Sequence, residues 1–239
     1  MTVGDALKAS GIDSREARIL LAEASGFSQA AIVASQERAL ASEVEDRFRQ
    51  FIEKRKAGEP VAYIVGHKEF YGLDLAVNPA VLIPRPETEL LVDLALKRPF
   101  RSALDLGTGS GAVALALKKH RPNAQVVGVE ASAAALVVAQ RNATRLDLEV
   151  DFRHGLWFEP LAGRRFDLIV ANPPYVAEGD PHLPDLRFEP RTALVSGADG
   201  LRAIRQIAGA AAGHLETGGW LLLEHGLGQD AAVREILRA

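Results

Sequence analysis

Short apolar segments that alternate with helical segments constrain the fold of this chain more than any other feature. Beyond residue 87, candidate strands alternate with helical stretches such as Ala112–His120 and residues 133–142. The candidate strands are residues 102–106, 125–130, 149–153, 166–171 and 220–225. This alternation predicts an α/β domain in which a parallel sheet has helices on both faces. Such sheets bind ligands at the carboxyl ends of their strands, so functional residues are expected there.

The first 60 residues follow a different pattern, because their apolar positions recur at helical spacing. Asp13 or Ser14 is placed to cap one helix, and a long amphipathic helix is expected to end in the basic run at residues 54–56. Strand-like runs at residues 63–65 and 70–77, with Gly66 and Gly72 as turn residues, predict a hairpin. We therefore predict a helical domain over residues 1–60, a β-hairpin connector over 61–86 and the α/β domain over 87–239.

Composition excludes several functional classes. The chain has no cysteine, which excludes a disulfide framework, thiolate zinc sites and cysteine nucleophiles. Its six histidines show no metal-ligand spacing, so no metal site is expected. No window approaches the roughly 18 uninterrupted apolar residues of a membrane span. The formal net charge of -3 argues against a basic surface for nucleic acid. The sequence predicts a cytoplasmic protein that binds neither membranes nor nucleic acid directly.

A glycine-rich loop follows the first strand of the α/β region. It reads Asp105-Leu106-Gly107-Thr108-Gly109-Ser110-Gly111, and a helical pattern begins at Ala112. Glycines allow a sharp turn and a close approach of a ligand to the backbone N–H groups. Glu130, at the end of the second strand, can accept hydrogen bonds from both ribose hydroxyls of a nucleoside cofactor. The spacing Gly107-x-Gly109-x-x-Ala112 also fits a dinucleotide site, so a dehydrogenase remains an alternative. Asp105 favours another interpretation, since an acidic residue there resembles the first motif of class I S-adenosylmethionine-dependent methyltransferases.

The fourth strand runs directly into the turn Asn172-Pro173-Pro174-Tyr175. Two prolines fix two φ angles and remove two backbone donors, which leaves the carbonyl groups of the turn free to accept from a ligand. With the Asn172 oxygen as a further acceptor, the turn can hold both hydrogens of a planar NH2 group while the Tyr175 ring packs on its face. It resembles the Asn/Asp-Pro-Pro-Tyr motif of methyltransferases that modify a glutamine amide or the exocyclic amine of a base. We therefore expect Asn172, Pro173 and Tyr175 to be catalytic.

Further segments extend the resemblance over nearly the whole chain. They are EPVAYIVG at residues 59–66, FYG at 70–72, IPRPETE at 83–89, RFEP at 187–190, AL at 193–194 and LLLEHG at 221–226. With the glycine loop and the Asn-Pro-Pro-Tyr turn, they resemble the release-factor glutamine methyltransferases, the PrmC/HemK family. The resemblance implies a Rossmann-like methyltransferase sheet and a small N-terminal helical domain that helps to hold the substrate protein. It also implies S-adenosyl-L-methionine as cofactor and N5-methylation of the Gly-Gly-Gln glutamine in class I peptide release factors.

The family's functional residues are transferred by matching position. The implied cofactor-binding residues are Asp105, Gly107, Thr108, Gly109, Ser110, Gly111, Glu130, Trp157 and Asn172. The implied substrate-binding residues are Asn172, Pro173, Pro174 and Tyr175. Family members usually have Asp where Glu130 stands, and many have an acidic residue that can meet the adenine amine where this chain has Leu156. In the family a closing antiparallel hairpin follows the last strand, whereas this sequence ends at Ala239; an uncovered apolar edge at residues 220–223 would favour aggregation.

Two other functions remain open at this point. An adenine-N6 nucleic-acid methyltransferase would use the same turn, but it would need a basic groove, which the charge balance disfavours. A non-catalytic binding protein that retains the fold would account for Leu156 and the short carboxyl end. Arg85 and Glu87 either line the methionine end of the cofactor or hold the connector to the catalytic domain. We expect His225, with Glu224, to be structural.

Overall fold

The N-terminal part of the chain is helical, as predicted. The computed structural model describes residues 1–238 and contains two compact units, Met1–His67 and Lys68–Ala239. The first unit contains α1 (Val3–Ala9), α2 (Ser14–Ser25), α3 (Gln29–Ala34), α4 (Ser42–Lys56) and α5 (Val61–Val65). Asp13 caps α2, because its carboxylate accepts the backbone N–H groups of Arg15 and Glu16. Leu20 and Phe48 belong to the apolar core of this unit.

The prediction of a strand at residues 63–65 is wrong, because these residues lie in α5. A short apolar run does not distinguish a strand from a buried helical turn. Gly66 adopts a left-handed conformation with φ of 81° and ends the helix. The hairpin consists instead of β1 (His67–Phe70) and β2 (Leu73–Ala76).

The second unit is an α/β domain whose predicted fold class is confirmed. After the hairpin it contains α6 (Glu89–Leu96), β3 (Ser102–Leu106), α7 (Ala112–His120), β4 (Gln125–Glu130), α8 (Ala133–Leu146), β5 (Asp151–His154), β6 (Phe166–Ala171), α9 (Arg202–His214), β7 (Leu215–Leu223) and α10 (Asp230–Arg238). Single 3-10 turns lie at Pro86–Thr88, Glu159–Leu161, Leu183–Leu186 and Arg191–Ala193. Within residues 1–238, no helix combines the length and apolar character that a membrane crossing requires.

Five strands form one parallel sheet in the order β5-β4-β3-β6-β7. The predicted bounds of β3, β4, β6 and α7 are confirmed. The sequence predicts the last strand at residues 220–225, but β7 begins at Leu215 and ends at Leu223. Its first half contains the polar and glycine residues at 216–219, which carry no apolar signal.

The strand order reverses between β3 and β6, and this reversal positions the site. β4 and β5 follow on one side of β3, whereas β6 and β7 lie on its other side. Leu106, the last residue of β3, pairs with Ala171, the last residue of β6. The glycine loop and the Asn-Pro-Pro-Tyr turn therefore start from neighbouring strand ends, at the position where such sheets bind ligands.

The edge strand β7 is partly covered. The Arg98 guanidinium lies 3.8 Å from the centre of the Trp220 ring. The Trp220 side chain nevertheless remains 41% exposed, and the next three residues are partly buried. The apolar run at residues 220–223 is thus shielded in part by protein.

Close packing of the sheet predicts the effect of adding one methyl group at Gly128 in β4. A Cβ there would lie 2.7 Å from two ring atoms of Phe152 and 3.1 Å from the Thr108 hydroxyl. Gly128→Ala should lower the free energy of unfolding by about 1–3 kcal/mol, because the ring or the strand must shift. Urea denaturation measures this change.

Gly209 in α9 provides the matched control, since a Cβ at this residue would meet no neighbouring heavy atom within 4 Å. Gly209→Ala should leave stability unchanged or raise it by about 0.4–1 kcal/mol. Equal effects of the two substitutions would contradict the packing described here.

Candidate active site

An open crevice lies at the carboxyl ends of β3 and β6. Its walls come from four regions: Phe70 at the end of β1, the segment that precedes α6, the end of β3 with the glycine loop and the start of α7, and Asn172. The crevice brings Asn172 together with Gly107, Gly109 and Ser110, as the sequence predicts.

Asp105 fixes the glycine loop through hydrogen bonds. Its Oδ2 accepts a hydrogen bond from the Thr108 hydroxyl at 2.6 Å and another from the Ala114 backbone N–H at 3.1 Å. Burial raises the pKa of Asp105 to about 6, and the nearby charge of Glu130 adds to the rise, whereas the two hydrogen bonds oppose it. This carboxyl group therefore connects the loop to the first turn of α7.

The glycines of the loop adopt conformations that other residues rarely reach. Gly107, Gly109 and Gly111 have φ values of 71°, 57° and 85°. A Cβ on Gly107 would also lie 3.4 Å from the Trp157 ring. The loop is therefore a cradle with an open backbone surface and one aromatic wall.

Asn142 also fixes this loop, although the sequence motifs do not include it. The side chain is fully buried on α8, and its amide nitrogen donates to the Ser110 carbonyl at 2.9 Å and to the Ala76 carbonyl at 3.0 Å. Its amide oxygen accepts from the Ala76 N–H at 2.8 Å. A polar residue on the apolar face of an amphipathic helix is the sequence signal that could identify Asn142 as a buried structural residue.

Glu130 and Trp157 flank the loop. The two Glu130 carboxylate oxygens accept the backbone N–H groups of Gly109 and Ser132, each at 2.9 Å. Each oxygen keeps a further lone pair for a ligand hydroxyl. Trp157 Nε1 donates to the Gln206 side chain at 3.0 Å, while the neighbouring Leu156 is 41% exposed. A glycine cradle, an acceptor at the end of β4 and an aromatic wall together fit a nucleoside cofactor.

The Asn-Pro-Pro-Tyr turn begins directly after β6. Asn172 Nδ2 donates to the buried Thr88 hydroxyl oxygen at 2.9 Å, which leaves Oδ1 as the amide atom available to a ligand. Pro173 is buried and Pro174 is partly buried. The Tyr175 hydroxyl donates to Glu224 Oε1 at 3.4 Å. Burial, followed by the Glu224 charge, raises the pKa of Tyr175.

Arg85 both lines the crevice and holds a loop in place. Its guanidinium forms an ion pair with Glu189, whose side chain is only 4% exposed. Glu189 also accepts the backbone N–H of Ile83 at 3.1 Å. Glu87 is exposed, and His225 Nδ1 lies 3.0 Å from the Gly226 carbonyl oxygen. The RFEP and IPRPETE segments are thus joined by one buried carboxylate.

Comparison with known proteins agrees with these motifs. The chain matches the methyltransferase small domain over residues 86–184 and the PrmC N-terminal domain over residues 3–66. It is 54% identical to a release factor glutamine methyltransferase of Xylella fastidiosa over 205 residues, which are 83% of this chain and 74% of that protein. It is 50% identical to the Pseudomonas aeruginosa release factor glutamine methyltransferase over 237 residues, which are 95% of this chain and 86% of that protein.

A solved structure supports the fold. A methyltransferase from Pyrococcus furiosus superposes with a TM-score of 0.55 and 22% identity, over 80% of this chain and 85% of that one. That similarity confirms the Rossmann-like methyltransferase sheet. The identities to the two bacterial relatives confirm the resemblance first seen in the sequence motifs: this chain belongs to the family of release factor glutamine methyltransferases.

Proposed function

We propose that this chain transfers the methyl group of S-adenosylmethionine to the side-chain nitrogen of the Gly-Gly-Gln glutamine of class I peptide release factors, in the cytoplasm. The observation that carries the proposal is the shared crevice of the glycine loop and Asn172, at the paired ends of β3 and β6. The names of the relatives support a release factor as the substrate. The net charge of -3 favours a protein substrate over nucleic acid.

The proposed cofactor residues surround the glycine cradle. S-adenosylmethionine, when bound, supplies a methyl group on a positively charged sulfur. Gly107 to Gly111 present their backbone to the cofactor, and Glu130 accepts from the ribose hydroxyls through its remaining lone pairs. Trp157 closes one side of the site. Leu156 offers apolar surface to the adenine, where many relatives have an acidic side chain.

The turn after β6 overcomes the poor nucleophilicity of an amide. The lone pair of an amide nitrogen is delocalised, so the nitrogen must be held in line with the methyl group at about 3–3.5 Å. Asn172 Oδ1 and the Pro173 carbonyl accept the two N–H hydrogens, and the Tyr175 ring packs on the planar group. Because positive charge grows on the nitrogen, these acceptors stabilise the transition state more than the ground state. The methylated nitrogen then loses its proton without a strong base.

The helical unit is proposed to bind the release factor. It carries the match to the PrmC N-terminal domain, and it forms a compact unit with its own apolar core. A folded unit of this kind provides protein surface for recognising the substrate, while the chemistry stays at the crevice of the α/β unit.

Incubation with labelled S-adenosylmethionine separates the proposal from its rivals. The expected result is label in a purified class I release factor and none in DNA or RNA. Label in nucleic acid would favour the adenine-N6 methyltransferase. A folded protein that binds S-adenosylhomocysteine but transfers no label to any acceptor would favour a binding protein.

Asn172→Ala should lower the methylation rate by about 10²–10³-fold, the usual loss for one positioned polar group. The dissociation constant for S-adenosylhomocysteine, measured by calorimetry, should change only a few fold, because the cradle remains intact. Asn123→Ala, at an exposed asparagine outside the crevice, is the matched control. Wild-type turnover by Asn172→Ala would contradict the assigned role.

Asp105 predicts a pH-dependent stability difference. Its pKa of about 6 in the folded chain exceeds the ordinary value of 3.8, so the folded state favours the protonated form. Stability from this group is present below pH 4 and is lost as the pH rises through 6. Relative to Asp105→Asn, the wild type should lose about 2 kcal/mol of unfolding free energy between pH 4 and pH 7.5. Urea denaturation at several pH values measures it, and a pH-independent difference would contradict the buried acid.

A further inference from the structure

Glu224 places a carboxylate behind the Asn-Pro-Pro-Tyr turn. The residue follows β7 directly, and its backbone N–H donates to the Ala171 carbonyl at 3.0 Å, which sets it beside Asn172. Its Oε1 accepts from the Tyr175 hydroxyl at 3.4 Å. Its Oε2 is buried and has no well-aligned hydrogen bond to any group in residues 1–238.

Two further polar groups lie next to this carboxylate. Burial raises the pKa of Glu224, with a smaller contribution from the charge of Glu87, whereas the Thr88 hydroxyl, the Tyr175 hydroxyl and the Asn172 amide act to lower it. These three groups therefore surround the Glu224 carboxylate, and the Tyr175 hydroxyl donates to its Oε1. A buried carboxylate with an incompletely bonded oxygen reduces stability, so its presence calls for another explanation.

The hydrogen bonds around Thr88 have a defined direction. An ionised carboxylate only accepts hydrogen bonds, and a hydroxyl has one hydrogen to donate. If the Thr88 hydrogen is directed at Glu224, the Thr88 oxygen can offer Asn172 only lone pairs. Asn172 must then present its NH2 group to Thr88, as it does at 2.9 Å. The amide oxygen is consequently left on the opposite side.

We propose that Glu224 is a positioning residue that, through Thr88, orients the Asn172 amide with Nδ2 inward and Oδ1 toward the substrate. The same carboxylate holds Tyr175 by its hydroxyl, so it orients both ends of the turn. The inference rests on the proposed function, in which Oδ1 accepts a hydrogen from the substrate amide. A reversed Asn172 would present a donor to that substrate donor and would repel it.

Substitutions at residues 88 and 224 test the direction of this chain of hydrogen bonds. Glu224→Gln offers Thr88 a donor as well as an acceptor, and Thr88→Val removes the hydroxyl with little change in shape. Each should lower kcat at least about tenfold, while the S-adenosylhomocysteine dissociation constant stays within about threefold. The double variant should be no slower than the slower single variant, because both substitutions break the same chain of hydrogen bonds.

Conservative controls separate orientation from folding. Thr88→Ser keeps the hydroxyl and should retain kcat within about threefold of wild type. Glu216→Gln removes an exposed carboxylate at the start of β7 and should leave kcat unchanged. A kcat for Glu224→Gln within about twofold of wild type, or losses that multiply in the double variant, would overturn the proposal.

A second readout does not depend on turnover. The side-chain amide resonances of Asn172, identified by their absence in Asn172→Ala, should shift in Thr88→Val and Glu224→Gln but not in Glu216→Gln. Unchanged resonances in the first two variants would overturn the inference even if the wild type is active. Shifted resonances in a protein that methylates no release factor would support the orientation and refute the proposed function.

Discussion

Parallel pairing of β3 with β6 is the constraint on which the site depends. Residues 106 and 171 are far apart in sequence but are partners at the ends of adjacent strands. The segments that directly follow those two residues therefore meet at the carboxyl edge of the sheet. The glycine loop supplies a backbone cradle there, and the Asn-Pro-Pro-Tyr turn supplies rigid acceptors. Neither segment alone can bring a methyl donor and a nitrogen into line, so the topology of the sheet provides the proximity on which the chemistry relies.

Buried polar side chains convert this proximity into fixed geometry. Asp105 and Asn142 hold the glycine loop, Glu189 holds Arg85 and the segment before α6, and Glu224 stands behind the turn. Burying such groups lowers stability unless each finds partners. Asp105 illustrates the balance, since two hydrogen bonds only partly offset its desolvation. These groups make the site rigid at a cost in stability, which is typical of preorganised active sites.

Local sequence patterns predicted the parts of the fold that local physics decides. Apolar runs followed by glycine or proline predict β3 and β6 with the right bounds, and Asp13 is one of the two residues expected to cap a helix. The run at residues 63–65 resembles a strand in the sequence because α5, to which it belongs, has only five residues. Five residues are too few to show a helical period. The start of β7 was missed because its first half lacks apolar residues.

Long-range partners were beyond the reach of the sequence. The candidate residues of the cradle and the turn were identified, but not the side chains that hold them. Thr88 bonds Asn172 across 84 positions, and Asn142 bonds Ala76 across 66. Periodicity and spacing describe a segment, whereas these contacts follow from how segments meet. Only the three-dimensional arrangement reveals that Thr88 contacts Asn172 and that Glu224 contacts Tyr175.

The most direct test of the account is a crystal structure of the protein with S-adenosylhomocysteine and a peptide containing Gly-Gly-Gln. We expect a hydrogen bond of about 2.7–3.2 Å between the glutamine amide nitrogen and Asn172 Oδ1, with the amide beside the glycine cradle. A glutamine amide bound elsewhere, or facing Asn172 through its own oxygen, would contradict the account.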